Sequence, residues 1–183
     1  MDLKPSPSDP TLSGLPEKVK KPWGLRVRKP DFVIGDPADP YMCRWWLIPK
    51  NPWVNVYLHK IRRDDDDRAL HDHPNPNMSI LLTGSYIEVL PDFSKAPTPY
   101  VRIFDLPRIR KLRRRGSVLF RRATASHRLE LHVKDGATQP VWTLFLMLGK
   151  PRKWGFHCAQ GWIDSDVYTD PDNPGAIGRG CEP

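Results

Sequence analysis

Apolar and polar residues alternate with a period of two over several short runs, and no stretch repeats apolar residues at the three-to-four spacing of a long amphipathic helix. β-branched and aromatic residues fill these runs, while Gly, Pro and Asn break them. The pattern predicts strands over 41–48, 53–61, 78–83 with continuation through 86–88 after Gly84, 100–106, 117–122, 127–133 and 141–148. One short strand is expected among the turns of 23–40, and Pro49-Lys50-Asn51-Pro52 reads as a turn between the first two long strands. Many short strands with regular breaks specify an all-β barrel or sandwich.

The ends lack this pattern. Residues 1–22 are rich in Pro, Ser and Lys and read as a flexible arm, 23–168 as the barrel domain, and 169–183 as a loose C-terminal tail. A chain of 183 residues with 39% hydrophobic content suits one globular domain, and no run is long and apolar enough for a membrane helix. The N-terminal residues lack the apolar core of a secretory signal, and three scattered cysteines suggest no disulfide framework, so a reducing cytoplasm is the expected setting.

The net charge of +8 concentrates between Arg102 and Arg122. Only Phe104 and Phe120 in this stretch can stack on bases, and no nucleic-acid motif is present, so it reads as a solvated cationic face. Nucleic acid is the less favoured partner, and a homodimer is compatible with the sequence.

Candidate chemistry lies in His71-Asp72-His73-Pro74. Two histidines one residue apart project from the same side of an extended strand, which sets two imidazoles side by side. The glycine-led strand starting at Gly116 runs on to His127, a third imidazole, and three neutral nitrogens suit a divalent transition metal with open positions. In the second long strand, Tyr57 and His59 share a face with Ile61 and so border the same interior. His59 lacks a close second ligand and reads first as a hydrogen-bonded structural histidine. The acidic run Asp64 to Asp67 lacks the spacing and glycine turn of a calcium loop and reads as a solvated turn, with Asp67 or Arg68 able to support the histidines. Arg122 shares the parity of Val118 and Phe120 and is a candidate clamp for an anion. His157 and Cys158 are adjacent and therefore point to opposite faces of a strand, which disfavours a nucleophile–base pair, and His132 has the opposite parity to His127.

These residues resemble the cupins, small double-stranded β-helix barrels of the jelly-roll type. The cupin first motif has two His one apart, a Glu four or five positions later and a Gly seven beyond that, and His71, His73 and Gly84 match, with Asn77 where the Glu would stand. The second motif opens on Gly and reaches a His eleven positions on, as Gly116 and His127 do. The Gly that often opens the first motif falls at Asp65, and the Pro, Gly and Asn of the second fall at Arg122, Thr124 and Leu131, so the match is to the ligand scaffold. The segment from Leu58-His59 through His73-Pro74, with Trp154-Gly155-Phe156-His157, also resembles bacterial and phage cupin-domain proteins of unassigned function.

The resemblance implies an antiparallel double-stranded β-helix with His71, His73 and His127 as metal ligands, Asn77 beside them, and Fe(II) ahead of Zn(II), Mn(II) or Ni(II). With Asn77 in place of a carboxylate, a divalent ion would keep a charge of about +2 rather than about +1, which favours a small anionic chelating ligand. Cupin dioxygenases of the cysteine and diketone type combine such a ligand with dioxygen. A non-oxidative isomerase, lyase or epimerase, and a binding module with a basic surface for nucleic acid or an acidic protein, are the alternatives.

Overall fold

Period-two sequence becomes antiparallel sheet. The computed structural model describes residues 28–65, 69–172 and 176–182, with Asp31–Pro183 as a compact unit. The expected arm at 1–22 lies outside the described residues. The strands are β1 (Phe32–Ile34), β2 (Met42–Trp46), β3 (Val54–Ile61), β4 (Leu70–His71), β5 (Asn77–Thr83), β6 (Ser85–Pro91), β7 (Arg108–Arg114), β8 (Val118–Arg121), β9 (Arg128–Leu131), β10 (Val133–Lys134), β11 (Ala137–Thr138), β12 (Val141–Leu148), β13 (Gly155–Cys158) and β14 (Gly161–Asp164). One short helix, α1 (Ser165–Tyr168), follows.

Six strands form one wall in the order β1-β2-β3-β12-β5-β8. The other wall joins β14-β13-β4 to β9-β6-β7 through an antiparallel bridge between His71 and His127. From β3 to β9 the chain passes between the walls at almost every strand, only β6 and β7 being consecutive in one wall, and β12 returns to the first. That winding is a double-stranded β-helix. Ile61, Leu81 and Val141 from the first wall pack with Tyr86, Leu129 and Leu131 from the second, so the two sheets share one buried apolar cluster.

The turn between β5 and β6 needs glycine: Gly84 has φ +74°, and a Cβ there would stand 3.0 Å from Val141 Cγ2. Gly155 is constrained differently, because a Cβ would lie 1.9 Å from the Ile163 carbonyl oxygen across the β13–β14 pair.

Three expectations are corrected. Residues 100–106 form no strand; a 3-10 turn at Ile103–Asp105 takes their place, with Arg102 paired to Asp105. The basic run is largely exposed, as a solvated face is, and forms β7, an edge strand hydrogen-bonded to β6 along its length, with Arg110 and Arg113 ion-paired to Glu130 and Glu88. Asp64 and Asp65 are not a merely solvated turn, since their carboxylates accept from the Leu131 and Leu129 backbone N–H groups of β9. The C-terminal segment is anchored: Thr169 bridges Ile177, Gly178 and Gly180 donate to the Tyr168 carbonyl, and Cys181 is disulfide-bonded to Cys158. Spacing cannot assign a pairing among three cysteines, and this bridge replaces the expectation of none. Among the described residues, no helix is long and apolar enough to cross a membrane.

Candidate metal centre

The three histidines meet because backbone pairing stitches β4 to the start of β9. His71 and His127 exchange both backbone hydrogen bonds, each 3.0 Å, and His73 N donates to the Ala123 carbonyl at 2.9 Å. Asp72, between the two histidines, points the other way: its Oδ1 accepts from Gly155 N at 2.7 Å, and its Oδ2 accepts from Arg152 and the Trp162 indole. Those bonds hold residue 72 outward and so keep residues 71 and 73 facing the interior.

Ring centroids of His71, His73 and His127 are 4.9–5.3 Å apart, and one nitrogen from each lies within 4.8 Å of the others. The His73 and His127 Nε2 atoms are 2.9 Å apart. Three converging imidazoles are a donor set that can hold a divalent transition metal. Asn77 fits the same environment. It is buried at the start of β5, its Nδ2 donates to the Asn75 carbonyl, and its Oδ1 has no hydrogen-bond partner while lining the same cavity.

A buried carboxylate that sequence reading missed organises the third imidazole. Glu88 of β6 is 2% exposed and lies 3.0 Å from His127 Nδ1, with Arg113 and Arg121 donating to its oxygens. Burial alone would raise the Glu88 carboxyl, but the His127 hydrogen bond and the Arg121 guanidinium hold it well below the usual carboxylate range. An ionised carboxylate only accepts, so His127 Nδ1 carries the proton and its Nε2 lone pair faces His73. Burial brings the His127 pKa down to about 4 against the opposing pull of Glu88, with Arg121 and His71 adding to the fall. His73 is lowered well below the ordinary value by burial and then by the neighbouring imidazoles. Both imidazoles are neutral near neutral pH, the form a metal would need. On the far side, Asp65 Oδ2 lies 3.8 Å from His71 Nδ1. It stands where support from Asp67 or Arg68 was expected; those two residues lie outside the described residues.

The triad opens on a cavity of about 450 Å³ between the walls, which Arg44, His59, Ser79, Arg121 and Thr143 also line. His59 reaches it, but its Nε2 accepts from Arg44 Nε at 2.9 Å, and burial followed by the Arg44 charge lowers its pKa well below the ordinary value. Tyr57 is buried beside this pair, with the Arg44 guanidinium 4.8 Å from its ring centroid, and is not among the cavity-lining residues. Arg122 is exposed and off the cavity; Arg121 is the arginine on its wall, because Val118 and Phe120 face outward and Leu119 and Arg121 inward. His132 is exposed, His157 Nε2 is 2.8 Å from Ser126 Oγ, and Cys158 is committed to its disulfide. Glu88 left one signal in the sequence, a carboxylate at the parity of Tyr86 inside an otherwise apolar strand.

No family model matches the chain, and no curated protein does. Solved structures similar to it include a cupin superfamily protein of Desulfitobacterium hafniense, 11% identical, covering 60% of this chain and 78% of that one with a TM-score of 0.41. Fe(II) HppE is 14% identical over 68% of this chain and 60% of that one, with a TM-score of 0.44. An uncharacterised Klebsiella pneumoniae protein with a double-stranded β-helix domain is 11% identical over 72% of this chain and 96% of that one, with a TM-score of 0.43.

Proposed function

We propose that the protein is a mononuclear metal enzyme of the Fe(II) dioxygenase type, with His71, His73 and His127 as ligands and a small organic anion as substrate. One observation carries the reading: three imidazole nitrogens converge at the wall of a cavity, and a buried carboxylate orients one of them. When bound, such a metal supplies open positions at which an anionic substrate and dioxygen meet. Glu88 keeps the proton on His127 Nδ1, Arg113 and Arg121 keep Glu88 ionised, and Asn77 offers a neutral amide oxygen where a carboxylate would cancel positive charge. Met42, Ile61, Phe145, Met147 and Phe156 add an apolar surface to the wall of the same cavity.

The test is metal titration of chelator-treated protein with Fe(II) under anaerobic conditions and with Zn(II), Mn(II) and Ni(II), followed by oxygen uptake by the Fe(II) form with candidate acids. One equivalent bound and acid-dependent uptake support the proposal. Failure of all four ions to bind overturns the metal reading, and binding without uptake by any acid overturns the dioxygenase reading.

A further inference from the structure

Taking the cavity as the substrate site, as proposed above, we infer that Arg44 is its anion anchor and that the ligand is a monocarboxylate with an apolar body. The two arginines of the cavity wall differ in one respect. Arg121 has its charge met by Glu88, whereas Arg44 has no carboxylate partner among the described residues. A half-buried guanidinium with no anion beside it has lost part of its hydration, and a ligand that supplies the anion recovers that cost on binding.

Arg44 is held for this task by neutral groups. Cross-strand register places Arg44, His59 and Thr143 in one row across β2, β3 and β12. His59 is stacked between Tyr57 and Phe145, with centroids 5.7 and 4.9 Å away, and its Nε2 accepts the Arg44 Nε–H. The Tyr57 ring lies against the guanidinium. With Nε bound to His59, the Nη1 and Nη2 donors make no hydrogen bond to any described residue, and such a fork matches the two oxygens of a carboxylate.

The rest of the wall sets the body of the ligand. Met42, Ile61, Phe145 and Met147 flank the row on the first wall, and Leu129 and Phe156 face them from the second. A second anionic group set against that surface would lose its water without gaining a partner. The triad belongs to the wall opposite Arg44, so a carboxylate on Arg44 leaves the other end of the molecule directed toward the histidines.

The experiment compares 4-phenylbutyrate with its neutral amide, 4-phenylbutyramide, by calorimetry on the full chain, metal-free and Zn(II)-loaded. Wild type should prefer the carboxylate by at least about tenfold in both forms, since a charge-assisted pair is worth more than one unit of log affinity. Arg44→Gln should abolish that preference while Zn(II) uptake stays at the wild-type level, and Arg44→Lys should keep part of it. A circular-dichroism melt checks folding; if Arg44→Gln does not fold, Arg44→Lys carries the test, its preference expected to fall below that of wild type without vanishing. Equal binding of acid and amide by wild type, or an undiminished preference after substitution, overturns the assignment. If the preference depends on Arg44 but no metal binds, the anchor stands and the metal reading fails; if metal binds and the preference ignores Arg44, the reverse holds.

Discussion

His127 and His59 are 5% and 3% exposed, and each has a charged partner within 3.0 Å. The partners have opposite signs. Glu88 accepts the hydrogen bond of the His127 Nδ1–H and leaves the Nε2 lone pair open, whereas the Arg44 Nε–H donates to Nε2 of His59 and makes that nitrogen an acceptor. Two equally buried histidines in one cavity thus become a candidate ligand and a prop, and the neighbour decides which. Burial is the first cause of the lowered pKa in both; Glu88 opposes it at His127 and Arg44 reinforces it at His59.

The contrast can be broken at its strong end first. His127→Ala should abolish stoichiometric metal binding while the far-ultraviolet spectrum persists, because the apolar cluster shared by the two sheets does not include His127; retained binding of one equivalent would remove His127 from the ligand set. Glu88→Gln should weaken metal affinity by about 10- to 100-fold, the usual cost of losing a carboxylate behind a ligating imidazole. Metal titration reads this directly, and unchanged affinity would reduce Glu88 to an ion-pair partner for the arginines.

Acid should separate folded from unfolded protein next. His127 titrates near 4 when folded and near its ordinary 6.5 when unfolded, so the unfolded chain takes up protons first. Stability present above pH 6.5 is therefore lost as pH falls toward 4, and Glu88, also depressed, adds a loss below the ordinary carboxylate range. Thermal melts of metal-free protein at pH 7 and pH 5 should show a drop that His127→Phe reduces. The smallest effect belongs to the prop: His59→Gln should change metal affinity by no more than about twofold, as expected of a site that shares no partner with the triad. A larger change would couple the two ends of the cavity.

The meeting of the three histidines was legible in the sequence because its cues are local: a period-two pair, and a glycine-led strand ending on the third imidazole. Their partners were not, since Glu88 and Arg44 meet the histidines across strands, at separations of 39 and 15 residues. Arg121 rather than Arg122 lines the cavity because Val118 and Phe120, apolar and expected to point inward, face out; Phe120 is 78% exposed, and apolar residues contribute freely to protein surfaces. Charge likewise hid β7, where cationic side chains on both faces of an edge strand leave no apolar alternation to read.

The pairing of His71 with His127 has a consequence for the order of events as the chain folds. His73 and His127 are 54 positions apart, so the unfolded polymer offers a metal at most two of the three imidazoles, His71 and His73. The third imidazole arrives only after the intervening strands have closed that loop, and the loop-closing entropy is met by strand pairing rather than by coordination. Metal added to refolding chains should leave the folding rate unchanged and slow only unfolding, as a ligand does that recognises the finished barrel alone.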